Sequence, residues 1–288
     1  MQFSRRKALG TALSALVAGP AWAAAPPLEA QGGQYASFDG AQLFYRRMGS
    51  GPPVVLLHSF MNDGPRIWFN TGIAQNLVQA GFSVIAPDFR ALGLSASPPG
   101  PYPKDVLAMD VEALLKTLKL KSYRLFGYAM GSRTAIRMMA RGARPERCVL
   151  GGTGVRGALE VEKLAANNID TIQAGKNARD PRLGVRVTSA IRLQKLNAES
   201  LIALLRSQIS NSRAELAQIK TPILVLDGDK DEGEGSAVDL TALLPDAALM
   251  RVPGDHQEAL RDPRFAQIAA AFLKSKDPPP RFAAAAAL

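Results

Sequence analysis

Few side chains in this sequence can carry chemistry. It holds one cysteine, Cys148, and two histidines, His58 and His256. A single cysteine closes no disulfide within the chain, and two histidines leave little material for a nitrogen or sulfur metal cage. A histidine oriented by a carboxylate, however, can take a proton from water or from an acidic carbon. Two loops carry titratable side chains: Gly228-Asp229-Lys230-Asp231 follows one short apolar run, and Gly254-Asp255-His256 follows another. A third segment, Phe126-Gly127-Tyr128-Ala129-Met130-Gly131-Ser132, lies between a strand pattern and a helix pattern. Its glycines suit a turn that strains its central residue, because neighbours without side chains let strand and helix approach. That central residue, Ala129, carries only a methyl group, which cannot attack a carbonyl.

The elements that must position these residues alternate. Tyr35 to Phe38 and Leu43 to Tyr45 read as two strands about Asp39-Gly40, a pair that favours a tight hairpin. Val54 to Leu57, Phe82 to Ala86, Arg124 to Phe126, Cys148 to Leu150, Ile223 to Asp227 and Ala248 to Val252 are short apolar runs of the kind buried on both faces of a parallel sheet. Helical patterns fall between them over Ile73 to Ala80, Val106 to Leu118, Met130 to Arg141 and Phe265 to Lys274. The alternation predicts an α/β fold with a doubly wound, mostly parallel central sheet. Strand signals vanish between Val155 and Glu215, which predicts an inserted helical lid. The expected organisation is therefore core over 26–154, lid over 155–215, core again over 216–275, and a disordered tail over 276–288.

Residues 1–25 are set apart as an export signal: a basic start, an apolar run from Ala8 to Ala18, and small residues suited to cleavage after Ala23 or Ala25. Arg5-Arg6 after Ser4 gives this segment the look of a twin-arginine signal. The run is too short and too interrupted, by Gly10, Thr11 and Ser14, for a membrane span. The expected location is outside the cytoplasm of a bacterium, periplasmic or extracellular. With 47% apolar and 21% charged residues, global disorder and coiled coil are excluded. Loss of Arg5, Arg6 and Lys7 takes the formal charge from +10 to +7, 32 basic against 25 acidic residues. No basic run with interleaved aromatics accompanies that charge, so nucleic acid is not an expected partner.

Five pieces, these three loops and two earlier segments, stand in the family's order over Gly51 to Lys274 and resemble the α/β-hydrolase superfamily. Residues 127–131 resemble its nucleophile elbow, G-x-S-x-G, with alanine in place of serine. Leu56-Leu57-His58-Ser59-Phe60 resembles the loop that supplies half of an oxyanion hole, and Asp88-Phe89-Arg90-Ala91-Leu92-Gly93-Leu94-Ser95 resembles the family's D-x-R-G-x-G-x-S loop. The resemblance implies hydrolysis of a small ester, lactone or amide, without metal or organic cofactor. It implies Asp231 as the triad acid, His256 as the triad base, Phe60 and Met130 as backbone oxyanion donors, and Gly127 and Gly131 as the elbow glycines. The chain departs from the pattern at Ala129, at Ser59 where glycine is usual, and at Ala91 and Leu92.

The remaining candidates receive plainer readings. His58 is expected to be a satisfied core histidine, Asp231 is preferred to Asp229 on spacing, and Gly151-Gly152-Thr153-Gly154 is read as a strand-to-lid turn, since it lacks the spacing of a dinucleotide loop. Three accounts of Ala129 stay open: a replacement introduced into a hydrolase, a ligand-binding pseudoenzyme, and a serine-independent enzyme in which His256 and Asp231 serve as general base. The lid's ten basic and six acidic residues, a net of +4, point to an anionic small molecule as substrate or ligand.

Overall fold

A computed structural model describes residues 30–277. The segment expected to be an export signal, with its expected cleavage positions, and residues 278–288 of the expected tail lie outside the described residues. Lys276 and Asp277 are described, and the Asp277 carbonyl accepts a hydrogen bond from Arg147, so this end of the chain is held two residues further than the composition suggested.

Eight strands form one sheet: β1 (Gln31–Ala36), β2 (Gln42–Met48), β3 (Pro53–Leu57), β4 (Ser83–Pro87), β5 (Arg124–Tyr128), β6 (Cys148–Gly151), β7 (Ile223–Gly228) and β8 (Ala247–Val252). Their order across the sheet is β1-β2-β4-β3-β5-β6-β7-β8. β2 pairs antiparallel with both β1 and β4, and every later pairing is parallel. The opening hairpin exists, but β1 ends at Ala36 and the connection is longer than a two-residue turn. Ser37 N–H donates to Ala41 C=O at 2.9 Å across it, with Gly40 at φ 82°.

The apolar runs are buried on both faces because helices cover both. In β3, Val55 and Leu57 enter one hydrophobic cluster while Val54 and Leu56 enter the other, as the two-residue period of a strand requires. One face is packed by α2 (Val106–Thr117), α3 (Met130–Ala140) and α9 (Ala237–Leu243), and the other by α1 (Ile73–Gln79) and α10 (Pro263–Lys274). Of the apolar stripe that the spacing predicts, Val106, Leu107, Val111, Leu114 and Leu115 are buried on α2, while Leu118 is the C-cap and only half-buried. α9 went unpredicted, and so did a five-residue π-helical turn at Pro65–Phe69 that buries Trp68 beneath the Phe126 ring.

Between β6 and β7 the chain leaves the sheet and runs through α4 (Val155–Leu159), α5 (Val161–Ala174), α6 (Pro181–Leu193), α7 (Ala198–Ser207) and α8 (Arg213–Ala217). This is the expected helical insertion. Asn197 caps α7 through its side chain, and Ser212 with Glu215 forms a capping box at α8.

Candidate active site

The turn at 127–131 is shaped by its glycines. A Cβ on Gly131 would lie 1.8 Å from the Leu57 carbonyl oxygen, and one on Gly127 would lie 2.5 Å from the Gly131 backbone, so α3 meets β3 and β5 at a distance only glycine permits. Between them Ala129 is held at φ 48°, ψ −111°, a conformation that strains any residue with a Cβ. Its N–H donates to Gly151 C=O at 2.9 Å, and the Ser132 hydroxyl donates to the same oxygen at 2.8 Å, tying the turn to the end of β6.

His256 and Asp231 come together although 25 positions separate them. β7 and β8 are adjacent parallel strands, so their C-terminal loops lie side by side, with His256 Nδ1 and Asp231 Oδ2 2.6 Å apart. Asp231 rather than Asp229 faces the ring, as the spacing indicated. Asp229 instead accepts the Gly254 N–H at 2.9 Å and pins the two loops together. About a third of the His256 side chain stays open while Asp231 is buried. Burial alone would lower the His256 pKa, but the hydrogen bond and negative charge of Asp231 outweigh it and hold the imidazole above its ordinary value. For Asp231 burial is likewise overcome, by His256 and by the Gly233 N–H, and its carboxyl sits below the usual range.

Two participants escaped the sequence reading. Asp227 is buried at the end of β7 beside Asp231, and burial together with that neighbouring charge pushes its pKa up to about 7. Two carboxyls side by side in a buried setting cannot both ionise cheaply, so Asp227 is the partner that keeps the proton longer. Tyr128, next to Ala129, donates its hydroxyl to the His256 C=O at 2.5 Å and sets its ring 5.1 Å from the imidazole. No spacing rule marks either residue: Tyr128 meets a loop 128 positions away, and Asp227 is an ordinary aspartate until the turn after β7 sets it beside Asp231.

The loop after β3 forms the opposite wall. Asn62 donates to Ser59 Oγ at 2.9 Å and to Phe60 C=O at 3.2 Å, closing this loop on itself. Neither the Phe60 N–H nor the Met130 N–H donates to another group among the described residues. His58 is fully buried as expected: Nδ1 meets Ser59 C=O at 2.8 Å and Nε2 accepts the Phe89 N–H at 2.9 Å. The segment 88–95 lines no part of the cleft and serves as scaffold. Asp88 accepts hydrogen bonds from Gly64 and Leu94 N–H and from Arg46, while Arg90 is buried against Asp110 and Asp39. Ala91 occupies a left-handed conformation at φ 63°, one that glycine adopts without strain.

Ser59, Phe60, Ala129, Met130, Asp231 and His256 all line one cleft of about 1100 Å³, roofed by Leu164 and Asn168 of α5 and by Leu183 and Arg186 of α6. Gly152, at φ 57°, makes the turn from β6 toward this roof, the role expected for the 151–154 segment. Such a cleft holds an oriented base, two unpaired amides and a methyl group where the turn presents its central side chain. Among the described residues no group of three or more His, Cys, Asp or Glu is placed to hold a metal ion, and no helix is long and apolar enough to cross a membrane.

Comparison with known proteins agrees with this fold. Residues 52–149 match the family model described as the alpha/beta hydrolase fold. An AB hydrolase superfamily protein of Bacillus subtilis, YisY, is 28% identical over 212 residues, covering 66% of this chain and 78% of that protein. Among solved structures, an esterase from Exiguobacterium antarcticum superposes with a TM-score of 0.69 at 20% identity, over 85% of this chain and 100% of that one. The enol-lactonase from Burkholderia xenovorans LB400 superposes at 0.64 and 24% identity, over 84% of this chain and 100% of that one. With its sheet order, its helical insertion and the family match over residues 52–149, the chain has the α/β-hydrolase fold.

Proposed function

We propose that the protein is exported and that its cleft takes a small ester, lactone or amide, with Ala129 at the nucleophile position so that the acyl-enzyme route is closed. The observation that carries this reading is the His256–Asp231 pair at 2.6 Å in the same cleft as the strained turn at Ala129 and the unpaired amides of Phe60 and Met130. The esterase and enol-lactonase of like fold are consistent with carbonyl chemistry of this class. Without a serine hydroxyl, the one hydrolytic path these residues offer is direct. His256 Nε2 takes a proton from water, the water oxygen bonds to the carbonyl carbon, and the amides of Phe60 and Met130 hold the oxyanion. The tetrahedral species then expels its alcohol or amine, which receives the proton from His256. Loss of the serine in such a site costs on the order of 10⁶ in turnover, leaving roughly 10³ to 10⁴ over water from the oxyanion donors and binding.

A second reading, a ligand-binding protein without turnover, is favoured by Ala129 itself and by the departures at Ser59, Ala91 and Leu92. The experiment that separates the two is hydrolysis of p-nitrophenyl acetate and a small aromatic lactone by the mature chain and its His256→Gln variant. Turnover above buffer that is lost in the variant supports water activation by His256. Equal rates with and without His256 support the binding protein. Export is tested by fractionating cells that express the full chain: mature-length protein outside the cytoplasm is expected, and its loss on Arg5→Lys/Arg6→Lys indicates the twin-arginine route.

A further inference from the structure

Five basic side chains line the cleft, and four of them, Arg66, Arg186, Lys230 and Arg261, are exposed to solvent. The fifth, Arg133, is 5% exposed. Its Nε is buried without a hydrogen-bond partner, and its nearest counter-charge, Glu234 Oε1, stands at 3.5 Å from Nη1, beyond a good charge-assisted bond. Glu234 is itself held elsewhere, accepting the Thr153 hydroxyl at 2.8 Å. A buried guanidinium with an unused donor and a long ion pair is costly unless something supplies acceptors.

Its position says what that is. Arg133 lies one helical turn beyond Ala129, its N–H donating to Ala129 C=O at 3.1 Å. Helical side chains lean toward the helix N-terminus, so a side chain from this position covers the end of α3 that opens on the cleft. The same end of the helix favours negative charge through its dipole. We propose that Arg133 is the anchor for a carboxylate on the substrate, received by the guanidinium fork beside Glu234, so that the cleft takes half-esters, carboxylated lactones or carboxylated amides in preference to neutral ones. This deepens the substrate class of the proposed function and rests on that cleft being the substrate site. It also relocates the source of selectivity from the lid's overall charge to one residue of the core.

Calorimetric binding of monomethyl malonate, succinate and glutarate to the mature chain, each against its dimethyl ester, tests the assignment without turnover. A well-formed charge-assisted contact predicts that the best half-ester binds about 10- to 100-fold more tightly than its diester. Arg133→Gln is expected to erase that preference while leaving diester affinity in place, and Arg182→Gln, exposed on α6 and outside the cleft lining, to preserve it. Glu234→Gln removes the competing charge and is expected to tighten half-ester binding; if Arg133→Gln does not fold by near-ultraviolet circular dichroism, this variant decides alone. A native chain that binds neither ester or prefers the diester, a preference that survives Arg133→Gln, or half-ester binding that stays unchanged or weakens in Glu234→Gln overturns the assignment. Labelling of an Ala129→Ser variant by a fluorophosphonate, which carries no carboxylate, reports separately on the catalytic reading.

Discussion

Replacing Ala129 by glycine is expected to cost much less than an alanine-to-glycine change at a buried site usually does, or to stabilise. At an unstrained site, glycine adds chain entropy to the unfolded state, destabilising by roughly 0.5–1 kcal/mol, and loss of a buried methyl removes about 0.8 kcal/mol more. Ala129 is only 6% exposed, so both losses apply in full, close to 1.5 kcal/mol together. Against them stands relief of a φ of 48° at ψ −111°, a non-glycine conformation that costs about 1–3 kcal/mol. Glycine is also a better residue than alanine at the cap position Ala129 occupies on α3. The net expectation runs from a loss of about 0.5 to a gain of about 1.5 kcal/mol, against a loss of about 1.5 if the turn stores no strain. Urea unfolding of the two chains at equal slope measures this. At a slope of about 3 kcal/mol per molar, the unstrained case lowers the midpoint by roughly 0.5 M. A fall of that size refutes the claim that the turn holds Ala129 in a nucleophile's conformation; an unchanged or raised midpoint supports it.

Three further outcomes follow from the same geometry. Gly131→Ala forces a Cβ to within 1.8 Å of the Leu57 carbonyl, so thermal melting is expected to show a loss of at least about 3 kcal/mol or no cooperative transition. By NMR titration, His256 is expected to protonate above 6.5 and to fall in pKa on Asp231→Asn, whereas buried His58, its pKa lowered by desolvation, stays neutral across that range. Folded Asp227 keeps its proton up to about 7, while the unfolded aspartate loses it near 3.8, so this group's contribution to stability declines as pH rises through that window. Asp227→Asn, which cannot ionise, is therefore expected to raise the melting temperature relative to the native chain at pH 8 and to change it little at pH 4; the opposite order contradicts a proton shared beside Asp231.

Much of this was legible in the sequence because the physics is local there. Short β-branched runs between helical stripes announce a sheet covered on both faces, and Val54 to Leu57 and Ile223 to Asp227 lie where those runs stand. Gly127 and Gly131 could be read because a close backbone approach leaves glycine as its trace. His256 and Asp231 were readable only through a resemblance, since nothing in the 24 residues between them says that β7 and β8 are neighbours. Asp227, Tyr128 and Glu234 left no trace at all: an aspartate before a glycine, a tyrosine in a turn and a glutamate in a loop are ordinary until the fold sets them against Asp231, His256 and Arg133. Arg133 belongs with them, for its meaning lies in the partners it lacks, and absence of a partner is a property of three dimensions.

The account rests on the claim that the cleft is a hydrolase site complete except for its nucleophile. Ala129→Ser restores that one group, and a fluorophosphonate reports an activated serine while demanding little substrate recognition. Intact mass after exposure of the mature variant and the native chain is the most direct test. One covalent adduct on Ala129→Ser, none on the native chain, and none on Ala129→Ser/His256→Gln are expected. A folded Ala129→Ser protein that takes up no adduct contradicts the account, because His256, Asp231 and the amides of Phe60 and Met130 would then stand near one another without forming a working site.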